Sequence, residues 1–81
     1  MGPLILYSTS GCALCEQALE LLFALPELHG AGLTVVDVAD DDVLAERYGA
    51  RLPVLAFAGD ELDAPFDRHA VVRWWQHVRR D

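Results

Sequence analysis

No lysine occurs in the 81 residues and no arginine stands before Arg47, so the first half of the chain carries no fixed positive charge. Six arginines face thirteen aspartates and glutamates, a formal net charge of -7. That balance repels phosphate backbones and anionic lipid, which argues against nucleic-acid and membrane-surface partners. A cleavable export signal needs basic residues ahead of its apolar stretch, and none are there. An N-terminal myristoylation pattern wants Ser or Thr where Leu6 stands. Long apolar runs are missing too, since Leu4 to Tyr7 and Leu21 to Leu25 fall far short of the ~20 residues of a membrane-spanning helix. The expectation is a cytoplasmic protein with no membrane partner.

Cysteine is equally scarce. Two residues, Cys12 and Cys15, are too few for a disulfide-stapled secreted fold, yet their separation is that of a C-x-x-C motif. What the chain does have is apolar substance: 53% hydrophobic against 23% charged residues is the composition of a globular domain, not of a disordered tail. No repeat, low-complexity tract or linker divides it, so residues 1–81 read as one domain.

The apolar pattern alternates between two periods. Leu4-Ile5-Leu6-Tyr7 is a continuous run of the kind a doubly covered strand shows, and Ser8-Thr9-Ser10-Gly11 ends it with turn and capping residues. From Cys12 the residues Cys15, Ala18, Leu19, Leu22 and Leu25 recur at helical spacing until Pro26, with Glu16, Gln17 and Glu20 on the other side. Glu27 to Gly32 reads as a loop and Leu33 to Val38 as a second, β-branched strand. Strand, helix, strand makes a βαβ unit with parallel strands. Asp40 to Asp42 offer N-caps for a short helix that Gly49 ends. Leu52-Pro53 leads into a third strand, Val54 to Ala58, and Gly59-Asp60 occupies a hairpin turn into a fourth, Glu61 to Asp63. Asp67 caps a last helix whose apolar face is Ala70, Val71, Trp74 and Val78, with Arg79 and Arg80 at its negative end.

A C-x-x-C at the junction of a strand and a helix has specific chemistry. A thiol in the first helical turn meets unpaired backbone N–H groups and the positive end of the helix dipole, both of which favour thiolate. Cys12 is so placed and reads as a nucleophile. Cys15, one turn further on the apolar side with Ala18 and Leu19, suits a resolving thiol that stays protonated until needed. Zinc wants four ligands, and His29, His69 and His77 have no tight spacing with one another or with the cysteines, so no metal site is expected. Asp40-Asp41-Asp42 lacks the glycine and terminal glutamate of a calcium loop and reads as a capping turn.

On Leu6-Tyr7-Ser8 leading into Cys12-Ala13-Leu14-Cys15, and Arg51-Leu52-Pro53-Val54-Leu55 before a terminal hairpin, the sequence resembles the glutaredoxin-like branch of the thioredoxin superfamily. Glu61-Leu62-Asp63 and Pro65-Phe66-Asp67 bring it close to the small bacterial glutaredoxin-like proteins. The resemblance implies an α/β thioredoxin/glutaredoxin-like fold of order β-α-β-α-β-β-α, with a four-stranded mixed sheet and helices on both faces. It also implies a monomeric thiol–disulfide oxidoreductase in which Pro53 is a cis proline and the backbone of Leu52 docks substrate. Its partner would be a disulfide-containing protein or a small thiol, with no resident cofactor. Glutathione is the reductant the family suggests. Against it, Ala13-Leu14, Thr9 and Asp63-Ala64 stand where glutathione users carry Pro-Tyr, a lysine and a diglycine. The other reading open to the sequence is a binding or regulatory module whose dithiol acts as a redox latch or metal ligand, its acidic surface steering basic partners. Arg51, directly before Leu52-Pro53, is a candidate contact for substrate or thiolate.

Overall fold

The structure, a computed structural model, describes residues 3–79. Four strands form one mixed sheet in the order β2-β1-β3-β4. β1 (Leu4–Ser8) pairs in parallel with β2 (Leu33–Asp37) and antiparallel with β3 (Val54–Phe57), which pairs antiparallel with β4 (Asp60–Asp63). Three α-helices, α1 (Ala13–Phe23), α2 (Asp42–Tyr48) and α3 (Arg68–Val78), complete the expected order.

Side chains alternate across a strand, so one register sorts the sheet into two faces. Leu6 lies opposite Leu55, and Leu55 opposite Leu62. These join Leu4 and Phe57 in a core closed by Ala18 and Leu22 of α1 and by Val71, Trp75 and Val78 of α3. On the other face Tyr7 lies opposite Val54, and both pack with Val38, Leu44, Tyr48 and Leu52 under α2. Helices thus cover both faces, which is why β1 is apolar at consecutive positions. Each fully buried Leu contributes about 1.5–3 kcal/mol.

Local signals fix the helix starts. Asp41 Oδ1 accepts from the N–H of Val43 at 2.9 Å and of Leu44 at 3.2 Å, and Asp67 Oδ1 accepts from Ala70 N–H at 2.8 Å. The acidic run at Asp40 to Asp42 is therefore a capping turn. α1 ends at Phe23, and Pro26 opens a short 3-10 turn, Pro26–Leu28, that buries Leu28 within the stretch read as loop.

Two expectations shift by one residue. The hairpin turns at Ala58-Gly59, not Gly59-Asp60, and both residues have positive φ, 52° and 91°. That is the backbone sense a two-residue hairpin needs to match the twist of its strands. This turn sets Leu62 opposite Leu55, and Glu61 and Asp63 opposite Ala56 and Val54. In α3 the deep aromatic is Trp75, edge-on to Phe57 with ring centroids 4.9 Å apart, while Trp74 is half-buried. Val71, Trp75 and Val78 are the stripe that meets the sheet. Arg79 caps the helix and Arg80 lies outside the described residues. Among the described residues no helix is long and apolar enough to cross a membrane.

Candidate active site

β1 ends by delivering the chain into a turn in which Gly11 takes φ 72°, a left-handed conformation that favours glycine. The next residue, Cys12, is the extended N-cap of α1, one position earlier than a place in the first helical turn. Its Sγ accepts the backbone N–H of Cys15 at 3.2 Å, so the sulfur itself occupies the capping position. The sulfurs of Cys12 and Cys15 stand at disulfide distance, with Cα atoms 5.2 Å apart. Their surroundings differ. Cys15 is 2% exposed and sits with Ala18 and Leu22 on the buried side of α1, whereas Cys12 is half-buried. A reduced Cys12 would have its charge stabilised by the N–H groups and dipole at the start of an 11-residue helix. The side chains of α1 add nothing positive: Glu16 stands in its first turn and no basic residue in its last.

Pro53 is buried and preceded by a cis peptide bond from Leu52. A cleft of about 250 Å³ joins it to the motif, lined by Leu14, Gln17 and Leu21 of α1 together with Pro53, Pro65 and Phe66. Leu14, between the two cysteines, is 57% exposed, so an apolar side chain stands in solvent at the mouth of the dithiol. Leu52 turns its side chain into the core under α2. Its N–H and C=O make no backbone hydrogen bond among the described residues. A larger hollow of about 580 Å³ opens near Pro3, His29 and Trp75, but neither cysteine nor Pro53 lines it.

Arg51 turns away from the thiols. Its Nη1 donates to Asp63 Oδ1 at 2.8 Å and Oδ2 at 3.0 Å, its Nη2 to Glu61 Oε1 at 3.0 Å, and its Nε to the Arg47 carbonyl at 3.4 Å. The guanidinium also lies 5.1 Å over the Tyr48 ring, which stacks on Tyr7 at 4.0 Å and donates its hydroxyl to Glu61 Oε2 at 2.6 Å. That hydrogen bond, then burial, pushes the Tyr48 hydroxyl from 10.0 to about 12. Tyr48 first, and Arg51 among further causes, hold the Glu61 carboxyl below its ordinary value. Glu61 and then Asp63 hold Arg51 more firmly protonated than usual.

Of the residues singled out from sequence, Leu14 of the motif and Pro53 meet across one cleft, while Arg51 joins a separate ionic cluster with Glu61, Asp63 and Tyr48. The cluster escaped the sequence reading because its members are ten to thirteen residues apart. The available signal was Glu61 and Asp63 at alternate positions, which share one face of a strand. Among the described residues no group of three His, Cys, Asp or Glu side chains stands together to hold a metal ion.

Comparison with known proteins agrees with this architecture. A family model described as a glutaredoxin-like domain (DUF836) matches residues 3–75. The X-ray structure of Northeast Structural Genomics target protein XcR50 from X. campestris is similar at a TM-score of 0.81 and 37% identity, over 91% of this chain and 96% of that one. The solution structure of protein Ne2328 from Nitrosomonas europaea is similar at a TM-score of 0.71 and 27% identity, over 89% of this chain and 88% of that one. No curated protein matches the chain.

Proposed function

The chain belongs to the glutaredoxin-like domain family, and we propose on that premise that it is a thiol–disulfide oxidoreductase. The observation that carries the reading is the Cys12–Cys15 pair at disulfide distance with one sulfur at the helix N-cap and the other buried. Cys12 thiolate attacks one sulfur of a substrate disulfide, forms a Cys12–substrate mixed disulfide and expels the other substrate sulfur as thiolate. Cys15, deprotonated as it reacts, attacks the Cys12 sulfur, expels the second substrate thiolate and closes the Cys12–Cys15 disulfide. Two electrons pass from the dithiol to the substrate, and an external thiol reductant restores the dithiol by the reverse exchange. Pro53 and the backbone of Leu52 bind the substrate chain beside this pair.

The partner that fits is a disulfide-containing polypeptide. Glutathione carries two carboxylates, and the nearest guanidinium along the loop, that of Arg51, is already paired with Glu61 and Asp63. An apolar cleft with Leu14 exposed at its mouth suits a peptide side chain better. The setting is a reducing cytosol, where such dithiols are kept ready.

The test is a Cys15→Ser variant presented with insulin as the disulfide substrate. It should accumulate a mixed disulfide through Cys12 that wild type resolves, visible by mass spectrometry before and after adding dithiothreitol. Failure to form any adduct, under conditions where Cys12 is shown to be reduced, would sink the reading.

A further inference from the structure

The segment from Gly49 to Leu52 must carry the chain from the end of α2 to Pro53, and its first two residues are exposed. Exposed loop backbone is costly to order, so the direction in which Leu52 presents its N–H and C=O depends on what anchors its neighbours. Arg51 is such an anchor. Its backbone N–H donates to the Tyr48 carbonyl at 2.9 Å, and its side chain reaches back to the Arg47 carbonyl and across to two carboxylates of β4. Glu61 and Asp63 share one face of that strand, so a single planar fork engages both. Beyond Asp63, the N–H of Ala64 donates to the Pro53 carbonyl at 3.2 Å. The bend is thus tied to β4 just before Leu52 and to the residue following β4 just after it, and Tyr48 of α2, stacked on Tyr7 of β1, lies under the guanidinium.

We propose that Arg51 is a positioning residue that fixes the Leu52–Pro53 bend and thereby confers a preference for polypeptide disulfides over small ones. This rests on the oxidoreductase reading above. A small disulfide needs only the Cys12 sulfur. An extended chain must also pair with the Leu52 backbone, and hydrogen bonds weaken steeply once donor and acceptor are misaligned. Arg51 acts through the bend, its guanidinium directed by four hydrogen bonds to Glu61, Asp63 and the Arg47 carbonyl.

The experiment compares wild type, Arg51→Met and Arg51→Lys on insulin and on bis(2-hydroxyethyl) disulfide, with dithiothreitol as reductant, alongside backbone hydrogen exchange. For Arg51→Met, kcat/KM on insulin should fall about tenfold, chiefly through KM, with less than about a twofold change on the small disulfide, the scale on which a displaced positioning group acts. Arg51→Lys keeps the charge without the planar fork and should recover only part of the loss. The Ala64 amide should exchange about tenfold faster in Arg51→Met, a larger factor than that of the core amide of Leu55, which follows global stability. Equal losses on both substrates, or no loss on insulin with Ala64 protection intact, would overturn the proposal. If wild type reduced neither substrate, the oxidoreductase reading itself would fall, and Ala64 exchange would still decide whether Arg51 holds the bend.

Discussion

The cleft between Leu14 and Pro53 is lined by residues such as Leu21 and Phe66 and includes no ionised side chain, whereas Arg51, Glu61 and Asp63, just before Pro53 and on β4, make contacts of 2.8–3.0 Å. In one region charge is left to the backbone. There the start of α1 offers a thiolate its N–H groups and the positive end of its dipole. In the other, two cations converge: Arg47 and Arg51, the first two of six arginines, both lie over Tyr48, Arg51 bonded to Glu61 at 3.0 Å and the more exposed Arg47 at 4.0 Å. The contrast separates two tasks. On the proposed reading, reactivity belongs to a helix end and two sulfurs, and geometry belongs to the ion cluster.

Removing a sulfur tests that separation most severely. Cys12→Ser should abolish disulfide reduction altogether while leaving the denaturant midpoint of the reduced protein nearly unchanged, because the hydroxyl can still cap α1. Retained turnover would move the nucleophile elsewhere.

Breaking the ion cluster should do the opposite. Arg51→Met leaves Glu61 and Asp63 facing each other and should lower the urea midpoint, less so in 1 M salt, with the small-disulfide rate intact. The pH dependence of stability belongs to the same cluster. Glu61 titrates below its ordinary value in the folded protein, so its contribution is complete above about 4.5 and is lost as pH falls through the lower folded value. Tyr48 is raised, so its contribution is complete below 10.0 and disappears as pH rises through about 12. Tyr48→Phe should therefore flatten the alkaline limb of the urea midpoint and reduce the acid limb, since Tyr48 is the largest cause of the Glu61 shift. Unchanged limbs would show that the cluster contributes little to folding.

A change outside both regions calibrates these effects. Ala58 sits at φ 52° in the hairpin, and Ala58→Gly should raise stability by about 0.5–1 kcal/mol without altering any rate, as judged by urea midpoint. The smallest effect returns to the dithiol. Glu16 is the acid in the first turn of α1, and Glu16→Gln should make the Cys12 thiolate form more readily, seen as faster iodoacetamide alkylation at neutral pH. Slower alkylation instead would mean that α1 does not set the thiolate.

The uncharged region was largely legible in the sequence and the ionic one was not, for a physical reason. Cys12, Cys15, Asp41 and Asp67 act through neighbours within four residues, and helix capping writes itself into local spacing. Strand assignment was similarly local, since Leu4 to Tyr7 and Val54 to Phe57 are apolar at every position. Arg51 bonds across ten and twelve residues to a strand whose register depends on which turn closes the hairpin. Reading that turn one residue late also hid the pairing of Val54 with Asp63. The exchange of Trp74 for Trp75 has the same origin: both fit a helical stripe, and only docking against Phe57 selects one.

The measurement closest to the central claim is a redox titration of Cys12 and Cys15 in glutathione buffers, with mass spectrometry separating dithiol, intramolecular disulfide and glutathione adduct. A reversible Cys12–Cys15 disulfide should form with a potential between about -180 and -270 mV, the span of thiol-exchange proteins, with little stable Cys12 adduct. A pair that stays fully reduced throughout that range would contradict that claim.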